Sequence, residues 1–217
     1  MVRPTLSIPV TVCAISCSGP ALSPHPNIPV HVTCFLCCEA PLTTTIAVFD
    51  ADDAEGHVQA LGALLHACVH DGASIGFVLP FSQADAEAFW TLNVLPAVRK
   101  GRRLLLVACK DGRIAGTGQL DYDTPPNQPH RAEIRKVMVH PDFRRQGIAK
   151  ALMAGLESAA HRLGRGLITL DTRTGDKAEP LYLALGYRVA GVIPDYCRDP
   201  FKDHLDATTI MYKAITA

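Results

Sequence analysis

From Thr43 onward, apolar and polar residues alternate with two periods, near two and near 3.6. TTTIAVFD is β-branched and apolar and predicts a strand. GHVQALGALLHACVH places Val58, Leu61, Leu64, Leu65 and Cys68 on one helical face, with Asp52 or Asp53 as the cap. DGASIGFVLP is rich in glycine, ends in proline and predicts a loop. A second helix is expected from about Gln83 to Lys100. Its core face is Ala86, Phe89, Trp90, Leu92 and Val94, and Pro96 kinks or shortens it. RRLLLVACKDGRIAGTGQLDY predicts a hairpin with strands Leu104–Cys109 and Ile114–Leu120 about an Asp111-Gly112 turn. AEIRKVMVH predicts a strand. RRQGIAKALMAGLESAAHRLG predicts a helix with Ile148, Leu152, Leu156, Ala159 and Leu163 on one face, ended by Gly164 or Gly166. LITLDT, YRVAGVI and ATTIMYKAI predict three more strands, and AEPLYLALG a short helix with Pro180 in its first turn. This order predicts an α/β fold, a mixed central sheet flanked by helices on both faces.

Residues 1–42 carry no such period. They hold Pro4, Pro9, Pro20, Pro24, Pro26, Pro29 and Pro41, and five of the eight cysteines: Cys13, Cys17, Cys34, Cys37 and Cys38. Cys13-x3-Cys17 with Cys34-x2-Cys37 can be read as a small zinc site. Arg3 before a short apolar run, with AISC behind it, can be read as a secretory or lipoprotein leader, although Pro9 breaks the run. A misassigned start would give the same composition. The expectation is a poorly ordered Pro/Cys-rich extension over 1–42 and one folded domain over 43–217, with no metal in its site. The 217 residues carry zero formal net charge, which argues against nucleic-acid binding through bulk charge. No apolar run approaches the roughly 18 residues of a membrane helix. The unpaired cysteines and the chemistry below suit a reducing cytoplasm.

HPDFRRQGIAK, His140 to Lys150, joins an apolar strand to an amphipathic helix. A helix N-terminus leaves backbone N–H groups free and favours an anion, above all a phosphate. Arg144 and Arg145 add guanidinium forks. Gly147 lets a ligand approach the backbone, and Ala149 keeps the rim low. The loop has the makings of a pyrophosphate site, or of a solvated basic turn. It is neither a P-loop nor a dinucleotide fingerprint.

Arg144-x-x-Gly147-x-Ala149, behind VMVHPDF and ahead of a long helix, resembles the acetyl-CoA pyrophosphate loop of the GNAT N-acetyltransferases. DTRTGDKAEPLYLALGYRVAG resembles the second half of the same domain, with Ala178, Tyr182 and Leu185-Gly186-Tyr187 in the family's places. The likeness covers roughly Thr43 to Ile215. VHDGASIGF, RAEIRKVMV, RGLITLDTRTG and PDYC are similar to the tabtoxin resistance protein subgroup. The resemblance implies acetyl-CoA as acetyl donor, with its pantetheine arm along the backbone of Val137, Met138 and Val139. Its pyrophosphate would lie on Arg144, Arg145, Gln146, Gly147, Ile148, Ala149 and Lys150.

Acetyl transfer to an amine needs a base, a stabilised oxyanion and an acid for the leaving thiolate. The resemblance places Tyr182 as the acid, and a free phenol pKa of ~10 is close to that of an alkyl thiol. Tyr182 could equally be packing. Asp171, which could also be a helix N-cap, is implied to work with the tyrosine. Glu133 could be the general base, directly or through water, or a strand residue paired with Arg135 or Arg131. Candidates for the acceptor pocket are His70, Asp71, Ser74, Trp90, Gln119 and Tyr196. The expected acceptor is the primary amine of a small molecule: an amino-acid-like compound, toxin or antibiotic. A protein N-terminus or lysine, and a non-catalytic CoA-binding module, are the alternatives. By analogy, the last strand could pair across a homodimer.

Overall fold

The computed structural model describes residues 44–215. The proposed cysteine site at Cys13, Cys17, Cys34 and Cys37, and the leader readings, lie outside the described residues. Chain order runs β1 (Thr45–Phe49), α1 (Ala51–Gly56), α2 (Val58–His70), α3 (Gln83–Phe89), a π-helical turn (Trp90–Val94), α4 (Leu95–Arg99), β2 (Arg103–Lys110) and β3 (Arg113–Asp121). It continues with β4 (Arg131–Val139), α5 (Ile148–Arg162), β5 (Leu167–Arg173), α6 (Ala178–Ala184), β6 (Arg188–Arg198) and β7 (Leu205–Ala214).

The strands form one sheet in the order β1-β2-β3-β4-β5-β7-β6. Only β4 and β5 are parallel; every other neighbouring pair is antiparallel. This is the expected mixed α/β architecture. Alternation along β2 serves two cores. Leu106 and Ala108 pack with Ile148, Leu152, Leu156 and Tyr182 on one face. Leu105 and Val107 pack with Leu61, Leu65, Trp90 and Val94 on the other. Each such Leu contributes on the order of 1.5–3 kcal/mol when buried, so both helical layers are fixed to the sheet. Among the described residues no helix is long and apolar enough to cross a membrane.

Several local expectations need correction. Neither Asp52 nor Asp53 caps the helix expected through GHVQALGALLHACVH: both lie inside a separate short α1, capped by Asp50, whose carboxylate accepts from their amides, and α2 starts after His57, which makes no side-chain cap. The predicted helix from Gln83 to Lys100 is interrupted by the π-helical turn, which adds a residue to the winding. That turn rotates Leu92 outward to 72% exposure while Trp90 and Val94 stay inside. It also lets Pro96 fall in the first turn of α4, where its missing N–H is no loss. Leu163 is the C-cap of α5 and lies beyond its buried face. The hairpin turn is as expected, with Asp111 (φ 52°) and Gly112 (φ 72°) both left-handed.

Candidate active site

The site begins with a place where the sheet comes apart. β4 and β5 are in register only at Arg131–Leu167, Ala132–Ile168 and Glu133–Thr169. Beyond Glu133 they splay. The cause lies on the other edge of β4. Gln119 of β3 faces Arg135, and two residues earlier Thr117 faces Met138, so Gly118 alone stands opposite Lys136 and Val137. That is a β-bulge, and it bends the strand. Lys136 takes the left-handed conformation, φ 50°. The result is a wedge with the Val137–Val139 backbone along one wall. Met138 puts its side chain in the core, so it offers only main chain to the wedge. The Val139 carbonyl already accepts from the Cys68 thiol at 3.5 Å and from Arg144 Nε at 3.3 Å.

At the open end of the wedge stands the N-terminus of α5, 15 residues long. Its N-cap Gly147 has φ 79° and caps it with no side chain. Arg145 is also left-handed, φ 63°. A β-carbon added to Gly147 would meet nothing within 4 Å, so the free N–H groups face open space. Arg145 and Lys150 are exposed around them. Arg144 is more constrained, because its guanidinium also pairs with Asp71. Lys110, which the sequence did not single out, donates to the Gln146 side chain and adds a further cation. Ile148 anchors the turn in the core and exposes only its backbone. A uncapped helix terminus ringed by cations fits a diphosphate, and a free strand edge fits a chain bearing amides.

Tyr182 of α6 is 7% exposed, in the core on the α5 side. Its hydroxyl makes no hydrogen bond among the described residues and is not fully enclosed. Burial, then the negative charges of Asp171 and Asp176, push this phenol up to about 12. The expected match to a thiol is thereby loosened: Tyr182 is a weaker acid than a free phenol, held protonated. Asp171 stands exposed on β5. Glu133 lies 3.5 Å from Arg135 Nε, which is the paired reading of that residue.

Residues 71–80, between α2 and α3, form a strap over the wedge held by three cations. Arg144 meets Asp71. Arg173 donates to the Gly72 carbonyl at 3.3 Å. Lys136 donates to the Ile75 carbonyl at 2.5 Å. The strap is also stitched to the β6–β7 side: the Leu79 amide donates to Pro200 at 3.2 Å, and Ser74 Oγ lies 3.6 Å from Cys197 Sγ.

Of the six residues expected to line the acceptor pocket, the strap holds Asp71 and Ser74. Asp71 is committed to Arg144 and forms no free acidic wall. Trp90 is a correction: it is 0% exposed and belongs to the core, where its large apolar area is better buried than lent to a ligand. His70 is turned to the Phe81 carbonyl at 2.8 Å and stacks on His66. Gln119 lies enclosed in the sheet, accepting from Arg103 at 3.3 Å. Tyr196 stands in solvent on β6. Lys136 was missed. Its one sequence signal is the Arg135-Lys136 doublet, two charges in succession inside an alternating strand.

The sequence profile of the Acetyltransferase (GNAT) family matches residues 76–187, from the strap through the end of α6. The chain belongs to this family. Acetyl-CoA is the family's acetyl donor. Among solved structures, the chain is similar to the ribosomal-protein-S18-alanine N-acetyltransferase from Escherichia coli (21% identity, TM-score 0.58, 81% of this chain and 96% of that one). It is also similar to an N-acetyltransferase from Staphylococcus aureus Mu50 (15% identity, TM-score 0.65, 80% and 99%). A third is a Salmonella typhimurium protein described as an acetyltransferase and solved with its cofactor acetyl-CoA (18% identity, TM-score 0.63, 80% and 94%). At these identities the likeness establishes the fold. The acyltransferase chemistry comes from the family.

Proposed function

We propose that this GNAT acetyltransferase acts in the cytoplasm on the primary amine of a small molecule, an amino-acid-like compound, toxin or antibiotic, as a relative of the tabtoxin resistance subgroup. The observation that carries this reading is the strap. A protein N-terminus needs an open groove, and here residues 71–80 cross the wedge and are tied to Pro200 and Cys197 on its far side. The domain takes residues 43–217, behind an extension over 1–42.

When bound, the donor supplies an acetyl thioester. The Val137–Val139 main chain holds its arm, and Arg144 to Lys150, with the α5 terminus, hold its diphosphate. An amide of the same strand steadies the developing oxyanion. Asp171, which makes no ion pair among the described residues, takes the proton of the incoming ammonium; Glu133 is tied to Arg135 and is the weaker claimant. Tyr182 gives its proton at the hydroxyl oxygen to the leaving sulfur. The nitrogen's second proton restores Tyr182, so one proton leaves per acetyl moved.

The test is acetylated product, identified by mass, from a panel of amino acids, dipeptides, polyamines and amine antibiotics. Tyr182→Phe is expected to lower kcat by about 100-fold or more, the usual weight of a positioned acid, with little change in acetyl-CoA affinity by calorimetry. Acetylation of peptide N-termini with a silent small-amine panel would replace this reading with the protein-acceptor one.

A further inference from the structure

Charges along the wedge are almost fully paired. Arg103 meets Asp121 at 2.5 Å, and Arg135 meets Glu133 at 3.5 Å and Asp121 at 3.6 Å. Arg144 meets Asp71, and Arg173 holds Asp176, Asp199 and Asp206. The last of these clusters brings Asp199, His204 and Asp206 close enough to suggest a cation, but Arg173 already supplies one.

On the two strand segments that splay beyond Glu133 and Thr169, two groups, one of each sign, make no ion pair among the described residues. Lys136 makes no ion pair; its ammonium has one hydrogen bond, to Ile75, and lies 5.5 Å from the centre of the Phe77 ring. An ammonium carries three donors, so two remain, on a half-buried cation whose charge is costly without a counter-ion. Asp171 makes no ion pair either. It stands on β5 two residues past Thr169, and Lys136 on β4 three residues past Glu133, so the two lie on opposite strands of the wedge just beyond the last paired residues.

The backbone adds a separate observation. Lys136 has φ 50° in mid-strand, a conformation that costs an ordinary L-residue about 1–2 kcal/mol and suits glycine. Such strain in a non-glycine residue is a pointer to function.

We infer that Lys136 and Asp171 bracket the acceptor as a zwitterion: the carboxylate of an α-amino acid rests on Lys136 Nζ, and its ammonium faces Asp171. Lys136 is thus the residue that selects acceptors with a free carboxylate. This rests on the small-amine reading above. A polycation is the poorer fit, because Asp71 is spent on Arg144, and Asp121 on Arg103 and Arg135, which leaves Asp195 on β6 as the other unpaired acid of the candidate pocket walls.

The experiment measures kcat/KM for amino acids and for their methyl esters, by mass-identified product, in the wild type and in Lys136→Met. The ester amine is the weaker base, so the change in the acid-to-ester ratio between the two proteins carries the result. The ratio is expected to fall by about 10-fold or more, the weight of one charge-assisted bond, and to recover in part in Lys136→Arg. Lys136→Gly removes the charge while relaxing the backbone, so it separates loss of the ammonium from any effect of strain at this position. A ratio unchanged in both Lys136→Met and Lys136→Gly overturns the inference while small-amine acetylation stands. A panel silent for acids and esters alike, with peptide N-termini acetylated, overturns the small-amine reading and this inference with it.

Discussion

Tyr182 shows how one residue's surroundings set its chemistry. Burial and two nearby carboxylates disfavour the phenolate and push the hydroxyl up to about 12. The native state therefore keeps the proton where an unfolded chain loses it. The sign follows: this group's contribution to stability is intact below about pH 10 and is lost as pH rises from there toward the native value. For activity the consequence runs the other way from a free phenol. Rates from about pH 9 to about pH 10.5 should show no fall due to Tyr182. A decline near pH 10 that vanishes in Tyr182→Phe would contradict the assignment. Cys68 follows the same rule. Burial, the largest influence, pushes its thiol up to about 11, so it stays a neutral donor to the Val139 carbonyl.

At the scale of elements, what the sequence disclosed and what it hid have separate causes. Regular periods were legible: β2, β3, α2 and α5 lie where their patterns place them. Irregularities in winding were not. Ile134 and Met138 are four residues apart and by alternation should share a face; the bulge at Lys136 and Val137 sends them to opposite cores. The same bulge opens the wedge, so the feature that makes the site was the one hidden in the pattern. The π-helical turn hid Leu92's outward position in the same way. The loop at Arg144 to Lys150 was readable because a glycine and two arginines ahead of a helix have few uses. The strap was not, since its ties to Arg144, Arg173 and Lys136 are long in sequence. Asp71 is a test of that strap. Its pair with Arg144 is partly exposed and should add little to stability. In Asp71→Asn, Arg144 loses its fixed position. We expect Kd for acetyl-CoA to rise about two- to fivefold, by calorimetry, with Tm nearly unchanged. An unaltered Kd would mean the pair positions nothing that the donor uses.

Across the whole molecule, residues 43–217 make one compact unit, and both hydrophobic clusters lie within it. Every residue assigned a role in binding or chemistry lies there too. A chain beginning at Thr43 should therefore acetylate with an unchanged kcat and melt at about the same temperature. Lost activity in that shortened chain, measured beside the full one, would show that residues 1–42 take part in the reaction.

The strap has one more consequence. It is fastened at Asp71 to the arginine beside the donor loop and at Ile75 to the lysine assigned to the acceptor. Two ligands that each bear on one short segment share a free-energy coupling, and such coupling is reciprocal. Whatever factor the acceptor applies to donor affinity, the donor must apply to acceptor affinity. How far one substrate readies the site for the other is thus set by ten residues of loop together with the two binding sites.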